Sequence, residues 1–134
     1  MLRAVLDTNV YVSALFGGHP EDVYRAALRG RFVLVTSPAV LAELARILRE
    51  KFALPEDSIS AYIQQIGRRA DVVNPARTLR VLADDADNRV LECAVAGRAD
   101  LIVSGDTQIL NLKHYHGIRI IDVTQALALV DVAP

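Results

Sequence analysis

Asp7, Glu43, Asp87 and Asp106 are the side chains of this 134-residue chain whose type and placement point most directly to chemistry. Asp7 follows the apolar run RAVL and Asp106 comes two residues after LIVS, so each stands where a buried strand would end and the chain would turn outward. In open parallel sheets with helices on both faces, ligands collect outside the carboxyl ends of the strands. Acids at those ends are therefore better candidates than acids elsewhere. Several carboxylates brought together there form a hard oxygen donor set suited to Mg²⁺ or Mn²⁺. Mg²⁺ normally keeps several waters, which leaves coordination positions for a phosphate and a nucleophile.

The elements that would position these acids can be read from apolar spacing. Arg3 to Asp7 and Phe32 to Thr36 are short Val- and Leu-rich runs that read as buried strands. Ser37-Pro38 has the form of an N-cap followed by proline in the first turn, and Val40, Leu41, Leu44, Ile47 and Leu48 supply the apolar stripe of a helix. Pro55 opens another helical stretch through Ile59, Tyr62, Ile63 and Ile66, before a possible small strand at Val72-Val73. The acidic cluster from Asp84 begins a helix through Val90, Leu91, Ala94 and Val95 that closes at Gly97. Leu101 to Ser104 and Ile118 to Ile121 read as strands, and Val123 to Val130 as a final helix. Strands that are continuously apolar and alternate with helices imply a parallel sheet covered on both faces. The expected fold is an α/β three-layer sandwich with about five parallel strands, one domain over residues 1–134. The polar segment from Asn74 to Arg80 is expected to be a mobile loop.

On such a scaffold Asp87 lies three, four and seven residues before Val90, Leu91 and Ala94, on the helix face that looks toward the sheet. A carboxylate held there needs a partner or a metal, because an unpaired buried charge is costly. Glu43 stands three residues after Val40 and four before Ile47, at the edge of its apolar stripe and able to look into a cleft. Each acid also has an ordinary structural reading. Asp87 can favour a helix N-terminus, as Asp84 and Asp85 can. Glu43 can pair with Arg46 or Lys51, Asp7 can cap the segment after its strand, and Asp106 can N-cap TQILNL. The case for chemistry rests on all four reaching the same end of the sheet.

Composition narrows the class of protein. With 52% hydrophobic and 23% charged residues the chain has the make-up of a folded globule. No apolar run approaches the ~20 residues that span a bilayer, and MLRAVLDTN lacks the regions of a signal peptide, so the expected location is the cytoplasm with no membrane partner. Cys93 is the one cysteine and reads as a core thiol. A formal net charge of −1 argues against strong non-specific binding to duplex nucleic acid. It leaves open an acidic pocket neutralised by metal.

Taken together, LDTNV at Leu6 to Val10, Glu43 within PAVLAELARIL, DADNRVLECAVAGRADLIVSGD from Asp85 to Asp106, and IRII before the last helix resemble a PIN-domain protein. The likeness is to the VapC-like toxin ribonucleases of type II toxin–antitoxin pairs and covers nearly the whole chain. The resemblance implies that Asp7, Glu43, Asp87 and Asp106 form the metal-binding and catalytic acidic quartet, with Asn9 and Ser104 as supporting polar positions. For the third acid Asp84, Asp85 and Asp87 are all available, and Asp87 is chosen for its spacing to Leu91 and Ala94. The implied activity is Mg²⁺- or Mn²⁺-dependent hydrolysis of RNA, with single-stranded RNA as the expected substrate, leaving a 5′-phosphate. The implied roles are Asp7 and Asp106 as principal ligands, Asp87 sharing the ion, and Glu43 orienting water or completing a second site. The expected partners are RNA, a cognate antitoxin and, for an interface on the helices after Pro20 and Pro55, a second copy of the chain.

Other readings fare less well. A phosphatase of the haloacid-dehalogenase type would also place an Asp after its first strand, but it wants a second Asp two residues on, where this chain has Asn9. Neither GxGxxG nor GxxxxGK[ST] occurs, which disfavours a dinucleotide or P-loop site. A PIN-like fold that acts by binding alone is opposed by the intact quartet. His114 and His116, flanking Tyr115 in an expected loop, lack a third metal ligand nearby. Most arginines, including Arg25 and Arg29, read as solvated helix faces.

Overall fold

The computed structural model describes residues 1–131. In chain order the elements are β1 (Arg3–Leu6), α1 (Thr8–Ala14), α2 (Gly18–Leu28), β2 (Val33–Thr36), α3 (Pro38–Glu50), α4 (Glu56–Arg69), β3 (Asp71–Val72), α5 (Asp85–Ala96), β4 (Leu101–Val103), α6 (Thr107–Leu110), β5 (His114–Tyr115), β6 (Ile118–Ile121) and α7 (Val123–Asp131). The six strands form one sheet in the order β3-β2-β1-β4-β6-β5, parallel throughout except for β5. β1 therefore sits inside the sheet, with Val5 opposite Val35 on one side and Ile102 on the other.

Alternation along the strands makes the three layers. Ala4 and Leu6 of β1, Leu101 and Val103 of β4, and Ile121 of β6 join one apolar core with side chains from α1, α2, α3, α4 and α7. Val5, Ile102, Ile118 and Ile120 face the other way and pack with Val90, Leu91, Cys93 and Ala94 of α5. Both faces being covered, the strands carry apolar residues at nearly every position. Within the first core Tyr11, Tyr24 and Tyr62 meet edge to face, with ring centroids 5.5–6.5 Å apart. The Tyr62 hydroxyl donates to the Tyr11 carbonyl at 2.6 Å, and that of Tyr24 to Gln65 Oε1 at 2.7 Å. The buried positions of α2 and α4, Val23, Tyr24, Ile59, Tyr62 and Ile66 among them, are thus taken up by the chain's own core.

Three details differ from what residue spacing predicts. The sheet has six strands, the extra one being β5, where a loop was expected. His116 and Gly117 both have positive φ, 50° and 79°, which is the backbone of a tight two-residue hairpin that pairs Tyr115 with Ile118. A two-residue strand offers too short an alternation to be read from sequence. The segment after β3 is also anchored, where a mobile loop was expected. Asn88 of α5 accepts from the amides of Val81 (3.0 Å) and Leu82 (2.8 Å) and donates to the Leu82 carbonyl, while Glu92 accepts from the amide of Leu79 at 2.7 Å. Finally, α2 begins at Gly18, ahead of Pro20, after Gly17 turns the chain at φ 95°.

The C-terminal end of α5 packs against the sheet through an absent side chain. A Cβ on Gly97 would stand 2.4 Å from Cγ1 of Val35, which is fully buried and β-branched and so has little freedom to move. Gly97→Ala is therefore expected to destabilise the protein by ~1–3 kcal/mol. Pairing it with Val35→Ala should recover part of that loss relative to Val35→Ala alone. Urea midpoints of the four proteins in a double-mutant cycle measure both effects.

Candidate functional site

The carboxyl ends of β1 and β4 adjoin, and the hydrogen bond from the Asp7 amide to the Val103 carbonyl (2.9 Å) continues their pairing to the point where both strands stop. From there Asp7 is the N-cap of α1 and Asp106 the N-cap of α6. The capping roles foreseen for these residues are real, and they hold rather than exhaust the carboxylates. Asp7 Oδ1 accepts from the Thr8 amide at 2.7 Å, and Asp7 Oδ2 from the Ser104 hydroxyl at 2.8 Å. The same Ser104 oxygen accepts from the Asp106 amide at 2.9 Å. Asp106 Oδ1 accepts from the Gln108 amide at 2.8 Å. Asn9 Oδ1 accepts from the Gly105 amide at 3.2 Å, tying the first turn of α1 to the same loop. Ser104 and Asn9 are thus both hydrogen-bonded around the loop that leads from β4 to α6.

Asp87 arrives from α5. Asp84 is the N-cap, accepting from the Ala86 amide, so Asp87 falls in the first turn with its side chain turned inward. It is 6% exposed, and its Oδ2 is buried with no hydrogen-bond partner among the described residues. Burial, reinforced by the charges of Asp106, Asp7 and Asp84 in that order, pushes its pKa up to about 7. Asp7, 3% exposed, is also raised, chiefly by burial. The hydrogen bonds from Ser104 and Thr8 oppose that rise, and Asp106 adds to it. The charge of Asp106 thus acts on both Asp7 and Asp87, and that of Asp7 on Asp87.

Glu43 is placed differently. It lies half-buried on α3, which packs against both α1 and α5, but its carboxylate is engaged by Arg46 through Nη2–Oε1 at 2.5 Å and Nε–Oε2 at 3.1 Å. Arg46 also reaches Glu50 at 2.6 Å. The pairing with Arg46 that spacing allowed is therefore the one seen, and no hydrogen bond joins Glu43 to the three aspartates. Asp85 is an exposed first-turn residue. Two contributors were not singled out from sequence: Thr8, whose amide and hydroxyl both address Asp7 Oδ1, and Asp84 as a charge acting on Asp87. The Asp-Thr step after a strand is a capping signal that could have identified the first.

The donor set suits a hard divalent cation: three carboxylates, one with a buried oxygen that lacks any partner, at the strand ends of a parallel sheet. As the side chains stand, no group of three His, Cys, Asp or Glu among the described residues already forms a ligand cage. Oδ2 of Asp87 and Oδ2 of Asp106 take no hydrogen bond among the described residues.

Comparison with known proteins agrees with this architecture. A family model described as PIN domain matches residues 3–108. An uncharacterised protein of Methanocaldococcus jannaschii is 29% identical over 119 residues, covering 84% of this chain and 76% of that protein. Among solved structures, VapBC2 from Rickettsia felis bound to a DNA fragment from their promoter superposes with a TM-score of 0.64 over 90% of this chain and 98% of the other. At 13% identity that likeness is one of fold.

The raised proton affinity of Asp87 has a consequence for stability. Between pH ~4 and ~7 the folded protein binds a proton at Asp87 that the unfolded chain has released, so stability from this group is greatest below pH ~4 and falls as pH rises toward 7. In EDTA, Asp87→Asn should therefore stabilise the protein at pH 8, by on the order of 1–2 kcal/mol after allowance for solvent screening, and change it little at pH 4. Chemical denaturation at the two pH values measures the difference.

Proposed function

Because the chain belongs to the PIN domain family, whose members are generally nucleases, we propose that it is a divalent-metal-dependent endoribonuclease that acts through Asp7, Asp87 and Asp106. The observation that carries this reading is the buried Oδ2 of Asp87, without a hydrogen-bond partner among the described residues, on a side chain whose proton affinity the charges of Asp106 and Asp7 help to raise. Like charges at such a site are tolerated at neutral pH when a proton or a cation compensates them. Mg²⁺ or Mn²⁺ would supply Lewis-acid polarisation of a phosphodiester and a more acidic water when bound there.

The chain's own contribution is to hold the donors. Asp7 is fixed at both oxygens, Oδ1 by Thr8 and Oδ2 by Ser104, and so acts as the rigid ligand. Asp106 is held at one oxygen and keeps Oδ2 for a ligand. Asp87 offers the adaptable carboxylate, able to take up a proton when no cation is present. Glu43 joins the site on exchanging Arg46 for a water or a second ion, and is the least direct of the four. Hydrolysis by a water requires no covalent intermediate with the protein and is expected to leave a 5′-phosphate. Single-stranded RNA is the proposed substrate.

We further read the protein as the toxin of a type II toxin–antitoxin pair. The support is the fold shared with VapBC2 together with motifs that resemble VapC-like toxins. The cognate antitoxin would cover the acidic site, and homodimerisation belongs to the same reading. No described helix is long and apolar enough to cross a membrane, in keeping with an expected cytoplasmic location.

The purified protein should cut mixed-sequence single-stranded RNA with Mn²⁺ or Mg²⁺ and not with EDTA. Asp7→Asn and Asp106→Asn should each lower kcat/KM by at least ~100-fold. Ser104→Ala should weaken metal affinity ~10–100-fold, as expected for a group that orients a ligand. Full metal-dependent activity in both aspartate variants would exclude these roles.

A further inference from the structure

A cavity of about 500 Å³ lies on the flank of α5, away from the aspartates, between the segment anchored by Asn88 and Glu92 and the β5–β6 hairpin. Its lining includes Arg77, Leu79, Glu92, Ala96, Tyr115 and His116. The volume is in the range of small-molecule sites. Apolar and aromatic side chains share its wall with Asn74, Arg77 and His116, and Glu92 stands among them as a carboxylate 8% exposed. Glu92 Oε2 is fully employed, accepting from the Leu79 amide at 2.7 Å and meeting Arg89 Nη2 at 2.8 Å. Oε1 has no hydrogen-bond partner among the described residues. The Nε of the adjoining Arg89 is buried without an acceptor among the described residues.

The chemistry of the wall selects a ligand. Arg89 already neutralises Glu92, so the free oxygen calls for a neutral N–H donor more than for a second cation. Tyr115 and His116, with rings 4.3 Å apart and held edge to face, present aromatic surface to a flat apolar body. The hairpin with two positive φ values fixes that surface, and exposed Arg77 stands at the same cavity to meet an anion. An aromatic body with an N–H edge and a nearby phosphate is a nucleotide. Proteins that read single-stranded RNA bind splayed bases in this manner, by stacking and by hydrogen bonds to base edges.

We propose that this cavity is a nucleobase pocket that takes one unstacked base of the RNA, with preference for a base carrying an exocyclic amine. The amine donates to Glu92 Oε1. Uracil presents its one N–H between two carbonyl oxygens, which a carboxylate repels. The proposal rests on the ribonuclease reading for its biological ligand. Glu92 lies five residues beyond Asp87, about 7.5 Å along the axis of α5 and ~140° around it. A strand cut at the aspartates would thus cross the first turns of α5 to leave a neighbouring base in the pocket.

The test is titration of the wild-type protein in EDTA with the four nucleoside 5′-monophosphates, followed by amide chemical shifts. AMP, GMP and CMP should move the amides of Arg77, Ala96 and His116, and UMP should bind about tenfold more weakly, as loss of one good base-edge contact implies. Ala96→Phe, which fills the cavity from an exposed helix position, should weaken binding tenfold or more while keeping a folded spectrum and Mn²⁺ binding. Arg77→Ala should weaken all nucleotides alike. Equal shifts with ribose 5-phosphate, tighter binding of arginine amide than of any nucleotide, or unchanged binding in Ala96→Phe would overturn the pocket. Nucleotide binding by a protein that cuts no RNA would keep the pocket and remove the ribonuclease reading. RNA cleavage without nucleotide shifts at these amides would do the reverse.

Discussion

Carboxylates repel one another, and repel more strongly once water is removed, so a fold that buries Asp7 and Asp87 beside Asp106 must hold them there by other means. Ser104 is the centre of that restraint. Its hydroxyl, wholly buried, donates to Asp7 and accepts from the backbone of Asp106, so one oxygen fastens the first acid to the loop that carries the last. The geometry is available because β1 and β4 are neighbours in the sheet and end at the same level. Asp87 is held by the packing of its helix. With Val90, Leu91 and Ala94 fixed against the sheet, the side chain one turn earlier is kept on the inward face of α5. Its proton affinity is raised as a result of that burial and of the neighbouring charges.

The same helix carries a second set of polar side chains on another flank. Asn88 and Glu92 are one turn apart, both buried, and together they hold the chain between β3 and α5 against its own helix. Three backbone amides that would otherwise be unsatisfied near an apolar surface find acceptors in this way. α5 is therefore used twice, for charge on one side and for backbone amides on the other. Its closing glycine lets it approach Val35 more nearly than any side chain would allow.

Much of this was readable from residue order because the main elements are locally consistent. Ser37-Pro38 starts α3 as its residue types require, and the runs that become β1, β2, β4 and β6 have few polar interruptions. Asp7 and Asp106 could be located because each follows a strand, and Asp87 because helical periodicity says which way it faces. Glu43 shows where such reading stops. Its position at the edge of a stripe was legible, but a carboxylate at the boundary answers to whichever cation is nearest, and Arg46 three residues on is nearer than any distant site. The anchoring of Leu79, Val81 and Leu82 was not foreseen because the anchors, Asn88 and Glu92, belong to a later element. Two-residue β5 was missed because its pairing depends on a turn with His rather than Asn or Asp before the glycine.

Strand order also bears on how the protein is made. β1 is made well before β4, yet the two are neighbours, with Ala4 opposite Leu101. Closing that pair waits for β4, a long-range contact of the kind that slows folding. Asp7 meets Ser104 and Asp106 only at that closure. A nascent chain emerging from the ribosome thus carries its first acid for most of translation without the residues that complete the site. For a protein whose substrate would be RNA, the topology ties the meeting of these acids to the synthesis of β4 and the loop after it.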